Sequence, residues 1–384
     1  MTDRNNRTGM RPVIGLMSGT SADGIDGCIV LTDGQQVRRT DINLRQPYPS
    51  PVEKAIRAAR RDPASFLADP HYCAALITAI TNSHADSVHQ LLRRAAEECL
   101  PPVQLCGFHG QTVYHKPKAG RTIQLGDGNQ LSRLCGLPVI YDFRQADMEA
   151  GGQGAPLAPV YHQILLRQAG CPHPAGFLNL GGIANLTVCT DAHLLGFDTG
   201  PANALTDFVC QTELGLTYDN EGAIAATGNI SAPFLEATLK DSYFQRSGPR
   251  SLDWAHFLNY LQHPDFRTLP AEDKLASLTA LSAQSIAASV SELPFALKTL
   301  VVAGGGVHNK TMMKMISDAL PDGITLTTAE NIGAPSDMIE AELIAVLAAR
   351  YLAQLPSTWP ETTGASAAQI AGIRADPPKS RPNL

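Results

Sequence analysis

The chain has 384 residues, is 44% hydrophobic and 17% charged, and carries a formal net charge of −6. That is length for two domains with sizeable cores. It is too apolar for a disordered chain, and it has no Lys/Arg cluster of the kind that binds nucleic acid or an anionic membrane surface. Eight cysteines without a CxxC pair read as reduced thiols. Residues 1–12 lack the apolar segment of a secretory signal. No run nears the roughly 18 apolar residues of a membrane span, so the expected location is the cytoplasm, with no membrane partner.

Residues 13–31, VIGLMSGTSADGIDGCIVL, read as strand, tight polar turn, strand. Glycine admits positive φ and close approach of a ligand to the backbone. Successive backbone N–H groups in such a turn form an anion cradle, to which Ser and Thr add donors. Asp23 and Asp26 would repel a bare phosphate, so a divalent cation between carboxylate and phosphate is expected. A second strand, not a helix, follows the turn, which sets it apart from the P-loop and the dinucleotide fingerprint. An ordinary Gly/Ser-rich hairpin is the alternative.

Gln36 to Leu44 reads as a third strand, and 52–61 and 71–99 as helices. In the second helix Leu76, Ile80, Val88, Leu91 and Leu92 fall broadly on one face, with His84 and His89 assigned to the polar one. A short strand, Val103 to Phe108, runs into HGQT at 109–112, where α/β sheets place ligands. His109 and His115 would share a strand face but lack the further ligands of a zinc site. A helix at 128–135 precedes a strand, Leu137 to Tyr141, that ends in Asp142–Phe143–Arg144. These could grip sugar hydroxyls and, through the guanidinium fork, a carboxylate. A plain Asp142–Arg144 ion pair is equally compatible with the residue types. AGGQGAPLAP at 150–159 reads as the crossing between domains, before a helix at 160–168.

The second half restates the first. Phe177 to Leu180 is a strand, 181–185 a glycine turn, and Leu186 to Cys189 another strand. Gly19 and Gly181 lie 181 − 19 = 162 residues apart, which suggests duplicated domains. GFDTGPAN at 196–203 puts Asp198 at a strand end. There, desolvation near phosphates would raise its pKa as suits a general base, unless it merely caps the helix starting near Ala202. Leu300 to Ala303, then Gly304–Gly305–Gly306, then a helix from Asn309, would let an adenosine approach the backbone. Ile324 to Thr328 is a strand. Glu340 sits in the first turn of a helix opened by 335–339, where its charge suits the helix dipole or points into a site. Residues 371–384 read as a loose tail.

GLMSGTSADGID, HGQT, DFR with AGGQGAPL, LNLGGIANLT, GFDTGPAN, GGGVHN and the helix with Glu340 occur in that order. This set resembles the anhydro-N-acetylmuramic acid kinases of the actin/Hsp70/sugar-kinase superfamily, over about residues 12–366. The resemblance implies an α/β fold of two duplicated actin-like (ribonuclease H-like) domains with a nucleotide cleft between them. The first would span 11–148 and be completed by 336–370; the second would span 149–335. The implied activity is ATP- and Mg²⁺-dependent opening of 1,6-anhydro-N-acetylmuramic acid by water with phosphorylation of O6, in cell-wall recycling, by a homodimer. Asp198 would activate the water. Gly19, Thr20, Ser21, Ala22, Asp23, Gly24, Ile25 and Asp26 would hold the phosphates, with Asp23 near Mg²⁺. Gly181 and Gly182 would close on the phosphates, Gly304, Gly305 and Gly306 would border the adenosine, and Asp142, Arg144 and Glu340 would face the sugar. Another sugar or carboxylate kinase, or a chaperone-like actin-fold ATPase, would share the glycine elements.

Overall fold

The computed structural model describes residues 9–19, 22–244, 254–334 and 338–378. The chain divides into two compact units: Met1–Ile164 with Asp337–Leu384, and Leu165–Ser336. In the first, β1 (Arg11–Ser18), β2 (Gly24–Thr32) and β3 (Val37–Pro47) form an antiparallel meander. β4 (Leu105–Lys116) lies parallel to β1, β5 (Arg121–Leu125) folds back on β4, and β6 (Val139–Tyr141) runs parallel to β4. The strand Ile373–Ala375 closes the outer edge against β6.

β1 is apolar nearly throughout because both of its faces are covered. Ile14 and Leu16 pack into a core with Leu76, Ile80, Val88 and Leu91 of the helix Pro70–Glu97. The alternate residue, Gly15, faces the helix Ile339–Leu352. A Cβ on Gly15 would lie 1.9 Å from the Ala341 carbonyl oxygen, and one on Gly107 of β4 would lie 2.4 Å from that of Ile344. The two glycines thus let a helix backbone rest directly on the sheet. That helix is pinned by Glu342, which is buried and accepts from Arg39 (2.7 and 2.9 Å) and from the Tyr161 hydroxyl.

In the second unit β7 (Ala175–Leu180), β8 (Ile183–Cys189) and β9 (Leu194–Pro201) form a meander. β10 (Thr299–Ala303) is parallel to β7, and β11 (Thr325–Thr328) is parallel to β10. The order β11-β10-β7-β8-β9 repeats β6-β4-β1-β2-β3 of the first sheet. The long helix Ala271–Ser291 is buried along most of its length and contributes to both hydrophobic clusters of this unit.

Several expectations are corrected. The unit boundary falls between Ile164 and Leu165, not at 148/149. The glycine-rich 150–159 stretch is no crossing: buried Asp147 accepts from Gly154 N–H (2.7 Å) and the Thr363 hydroxyl (2.6 Å), and so ties the segment into the first unit. The loose-tail reading fails at Ile373–Ala375, which pairs with β6, while residues 379–384 lie outside the described residues. His84 is fully buried rather than on a polar face, whereas His89 is exposed. No helix among the described residues is long and apolar enough to cross a membrane.

Candidate active site

In the first unit the candidate residues collect at the carboxyl ends of the parallel strands β1, β4 and β6, where such sheets leave room for ligands. The turn between β1 and β2 leaves from Ser18, whose side chain is buried. His84 Nδ1 lies 2.8 Å from the Ile80 carbonyl, so Nδ1 carries the proton and Nε2 accepts. Ser18 therefore donates to His84 Nε2 (3.0 Å) and accepts from the Tyr48 hydroxyl (2.8 Å). Burial pulls the His84 pKa down to about 4, which keeps the ring neutral as this chain requires. Gln111, fully buried on β4, donates its amide to the Gly19 carbonyl (2.9 Å), while its own amide oxygen has no partner among the described residues.

Among the described residues of the turn, the left-handed one is Ala22 (φ 59°), not a glycine. A Cβ on Gly24 would lie 2.5 Å from the Gln46 carbonyl oxygen, so that glycine serves the approach of β3. Ile25 is buried core and Asp23 is exposed. Asp26 pairs across the strands with Arg45 (2.8 Å). Thr20 and Ser21 lie outside the described residues.

β4 runs through HGQT to Lys116 rather than ending before it. Past β6, Asp142 adopts φ 57°, and its carboxyl is raised above the ordinary carboxylate range by burial, against backbone donors at Gln145 and Arg144. The Asp142–Arg144 ion pair does not form: the Arg144 guanidinium goes to His109 Nε2 and to the Gly154 carbonyl. Loss of water lowers the Arg144 pKa to about 10, with Glu340 and Asp147 pulling the other way. Glu340 sits in the first turn of Ile339–Leu352, open to solvent. Its carboxyl is still raised by the protein crowded around it and by Asp26, with Arg144 opposing.

In the second unit Gly181 and Gly182 form a two-residue hairpin between β7 and β8. Asn203 donates its side-chain amide to the Leu180 carbonyl (3.0 Å) and the Gly181 carbonyl (2.8 Å). Ala202 and Ala204 N–H both bond the Gly182 carbonyl. Asp198 is half-buried and lies inside β9, opposite Asn185 and three residues short of the strand end. Its carbonyl accepts from the Tyr243 hydroxyl (2.6 Å). The helix Asn203–Val209 has Ala202 at its N-cap and no side-chain cap, so Asp198 does not cap it. After β10, Gly304 has φ 87° and abuts Asn179, and a Cβ on Gly306 would lie 2.6 Å from that of Leu180. At Gly305 an added Cβ would meet nothing within 4 Å. Asn309, not a glycine, caps the helix Lys310–Ala319, accepting from Met312 N–H at 2.9 Å.

Residues 11–376 match the family described as anhydro-N-acetylmuramic acid kinase. The chain belongs to that family. It is 42% identical over 369 residues to the "Anhydro-N-acetylmuramic acid kinase" of Rhizorhabdus wittichii, covering 95% of this chain and 98% of that one. It is 38% identical over 375 residues to the protein of the same name from Rhodopseudomonas palustris, covering 96% and 100%. A solved ROK family glucokinase from Streptomyces griseus, in complex with glucose and AMPPNP, overlaps 88% of this chain and 99% of its own at 14% identity and a TM-score of 0.36. As an anhydro-N-acetylmuramic acid kinase the chain is a sugar kinase, built on two sheets of repeated strand order. Sequence reasoning gave none of Ser18, Tyr48, His84, Gln111 and His109 a supporting role: it put His84 on a polar helix face and read His109 and Gln111 only as part of a ligand position at a strand end. For His84 the signal was present, since 76, 80, 84 and 88 step by four along one helix face.

Proposed function

We propose that this kinase uses ATP to open 1,6-anhydro-N-acetylmuramic acid and phosphorylate it at O6, giving N-acetylmuramic acid 6-phosphate for cell-wall recycling. Asp198 takes a proton from water, and the water oxygen bonds to C1 as the C1–O6 bond breaks. O6 takes the γ-phosphoryl group, and ADP leaves. Gly19 to Asp26 and the Gly181–Gly182 hairpin contact the phosphates, Gly304 to Gly306 border the adenosine, and Asp142, Arg144 and Glu340 meet the sugar. Mg²⁺ supplies charge neutralisation when bound. It needs only one or two carboxylates besides phosphate and water, and exposed Asp23 fits that requirement. The cytoplasmic location and the homodimer belong to the same reading.

The observation that carries this reading is at Asp198: the helix that follows starts without its help, which removes the structural role the sequence allowed it. The test is ADP release with ATP and Mg²⁺, with and without the anhydrosugar, for the native chain and Asp198→Asn. Stimulation by the anhydrosugar, lost by about 10³-fold in the variant while ATP still binds, supports both substrate and base. An inert anhydrosugar refutes the substrate. A fully active Asp198→Asn refutes the base.

A further inference from the structure

Arg144 is set unlike an ordinary surface or ion-paired arginine. Its Nε and Nη2 lie 3.3 and 3.0 Å from His109 Nε2, and its Nη1 donates to the Gly154 carbonyl at 2.7 Å. Guanidinium nitrogens only donate, so His109 Nε2 accepts. The other ring nitrogen, Nδ1, lies 2.9 Å from the Gly110 carbonyl, which only accepts, so the proton resides there. Both ends fix the same neutral tautomer. Burial, with the neighbouring Arg144 charge, holds the His109 pKa down at about 3, which agrees with that assignment. Among the described residues Arg144 forms no ion pair.

Five N–H groups radiate from a guanidinium, and three of Arg144's are committed to these neutral acceptors. One N–H remains on each terminal nitrogen, the set that receives a carboxylate through two parallel bonds. All three committed hydrogen bonds go to neutral acceptors, and the Glu340 and Asp147 carboxylates act on the guanidinium only through space, so the remaining N–H groups are placed to bond an anion directly. We propose that His109 is a positioning residue that locks Arg144 in the orientation presenting this fork to the lactyl carboxylate of the sugar. The inference rests on the substrate reading above and adds to it the group that confers acid specificity. His109 does not touch the sugar. It acts by denying Arg144 other rotamers, so its removal weakens recognition of the carboxylate rather than the chemistry at C1.

Two variants separate the ring's two nitrogens. His109→Asn retains a polar atom near Nδ1 and leaves nothing at Nε2. His109→Gln can carry its amide oxygen to the Nε2 position. Each is assayed with the anhydrosugar and with the analogue whose carboxylate is reduced to the primary alcohol. The native enzyme is expected to favour the acid by about 10- to 100-fold in kcat/KM, the scale of charge-assisted bonds. In His109→Asn that preference collapses through a higher KM for the acid, while kcat falls less than threefold and the KM for ATP holds. His109→Gln restores much of the preference. A native enzyme that turns over both sugars alike overturns the carboxylate contact at Arg144 and this inference with it. A native preference that survives in His109→Asn overturns the role of His109 alone. If His109→Asn does not fold, His109→Ala is assayed in its place, and an acid preference that survives there overturns the role equally.

Discussion

The two glycine hairpins are built by the same strand order but are held in different ways. In the second unit the Gly181–Gly182 hairpin is held by its own neighbourhood: N–H groups of residues 202–204 and one amide, all within a few residues of the end of β9. In the first unit the described ends of the turn are held from afar. Ser18 is fixed by a histidine 66 residues on and a tyrosine 30 residues on, and the Gly19 carbonyl by a glutamine 92 residues on. A backbone anchor survives side-chain substitution. A buried imidazole does not survive protonation.

Acid should therefore separate the units most strongly. His84, His109 and His162 are buried in the first unit with pKa values lowered to about 4, 3 and 3. Among the described residues the second unit buries no histidine. Unfolded histidine takes up its proton near 6.5 and the folded ring does not, so stability is full above that value and falls as pH drops toward the folded pKa. Each such ring contributes a slope of about 1.4 kcal/mol per pH unit in this window. The chain has two tryptophans, Trp254 in the second unit and Trp359 in the first. Denaturation followed by fluorescence in Trp254→Phe and in Trp359→Phe reads each unit alone. Between pH 6.5 and 4.5 the first unit should weaken more steeply, and parallel decline would break the comparison.

At neutral pH the same contrast is sharpened by two substitutions. His84→Leu takes away the acceptor of the buried Ser18 hydroxyl, leaving it only Tyr48, and should cost up to about 3 kcal/mol, the scale of a buried unsatisfied donor, with a raised KM for ATP. Asn203→Ala removes two amide bonds, but the Gly181 carbonyl keeps its bond from Asn203 N–H. Its cost should stay near 1 kcal/mol. Equal losses would show that the two turns do not differ in the way described. The smallest effects separate the glycines after β10. Gly306→Ala drives a methyl into Leu180 and should lower stability by about 1–2 kcal/mol. Gly305→Ala, with open space around it, should leave Tm alone and raise the KM for ATP if adenosine lies there. A Tm drop equal to that of Gly306→Ala would assign Gly305 to packing.

The glycine turns, the strand that follows each, and the duplication were legible because strand pattern and turn residues are local signals. The supports were not, because Gln111 and His109 acquire meaning only from partners brought to them by the sheet. From residue types the Asp142–Arg144 ion pair stood level with a grip on the sugar, and it is the positive φ of Asp142 and the bonds of Arg144 to His109 that set the two side chains apart. The tail misled because Ile373–Ala375 is a strand only by virtue of the β6 edge it finds.

The helix Ile339–Leu352 has a further consequence, for the order in which the protein comes into being. On the ribosome β1 to β6 emerge first, yet the backbone that Gly15 and Gly107 are shaped to receive has not been synthesised. The middle unit, residues 165–336, is contiguous and can mature while its flanks wait. The first sheet to be made is thus the last to be finished. Until residues 339–352 leave the exit tunnel that face of the sheet lies uncovered, and a nonsense codon near residue 339 would leave it so.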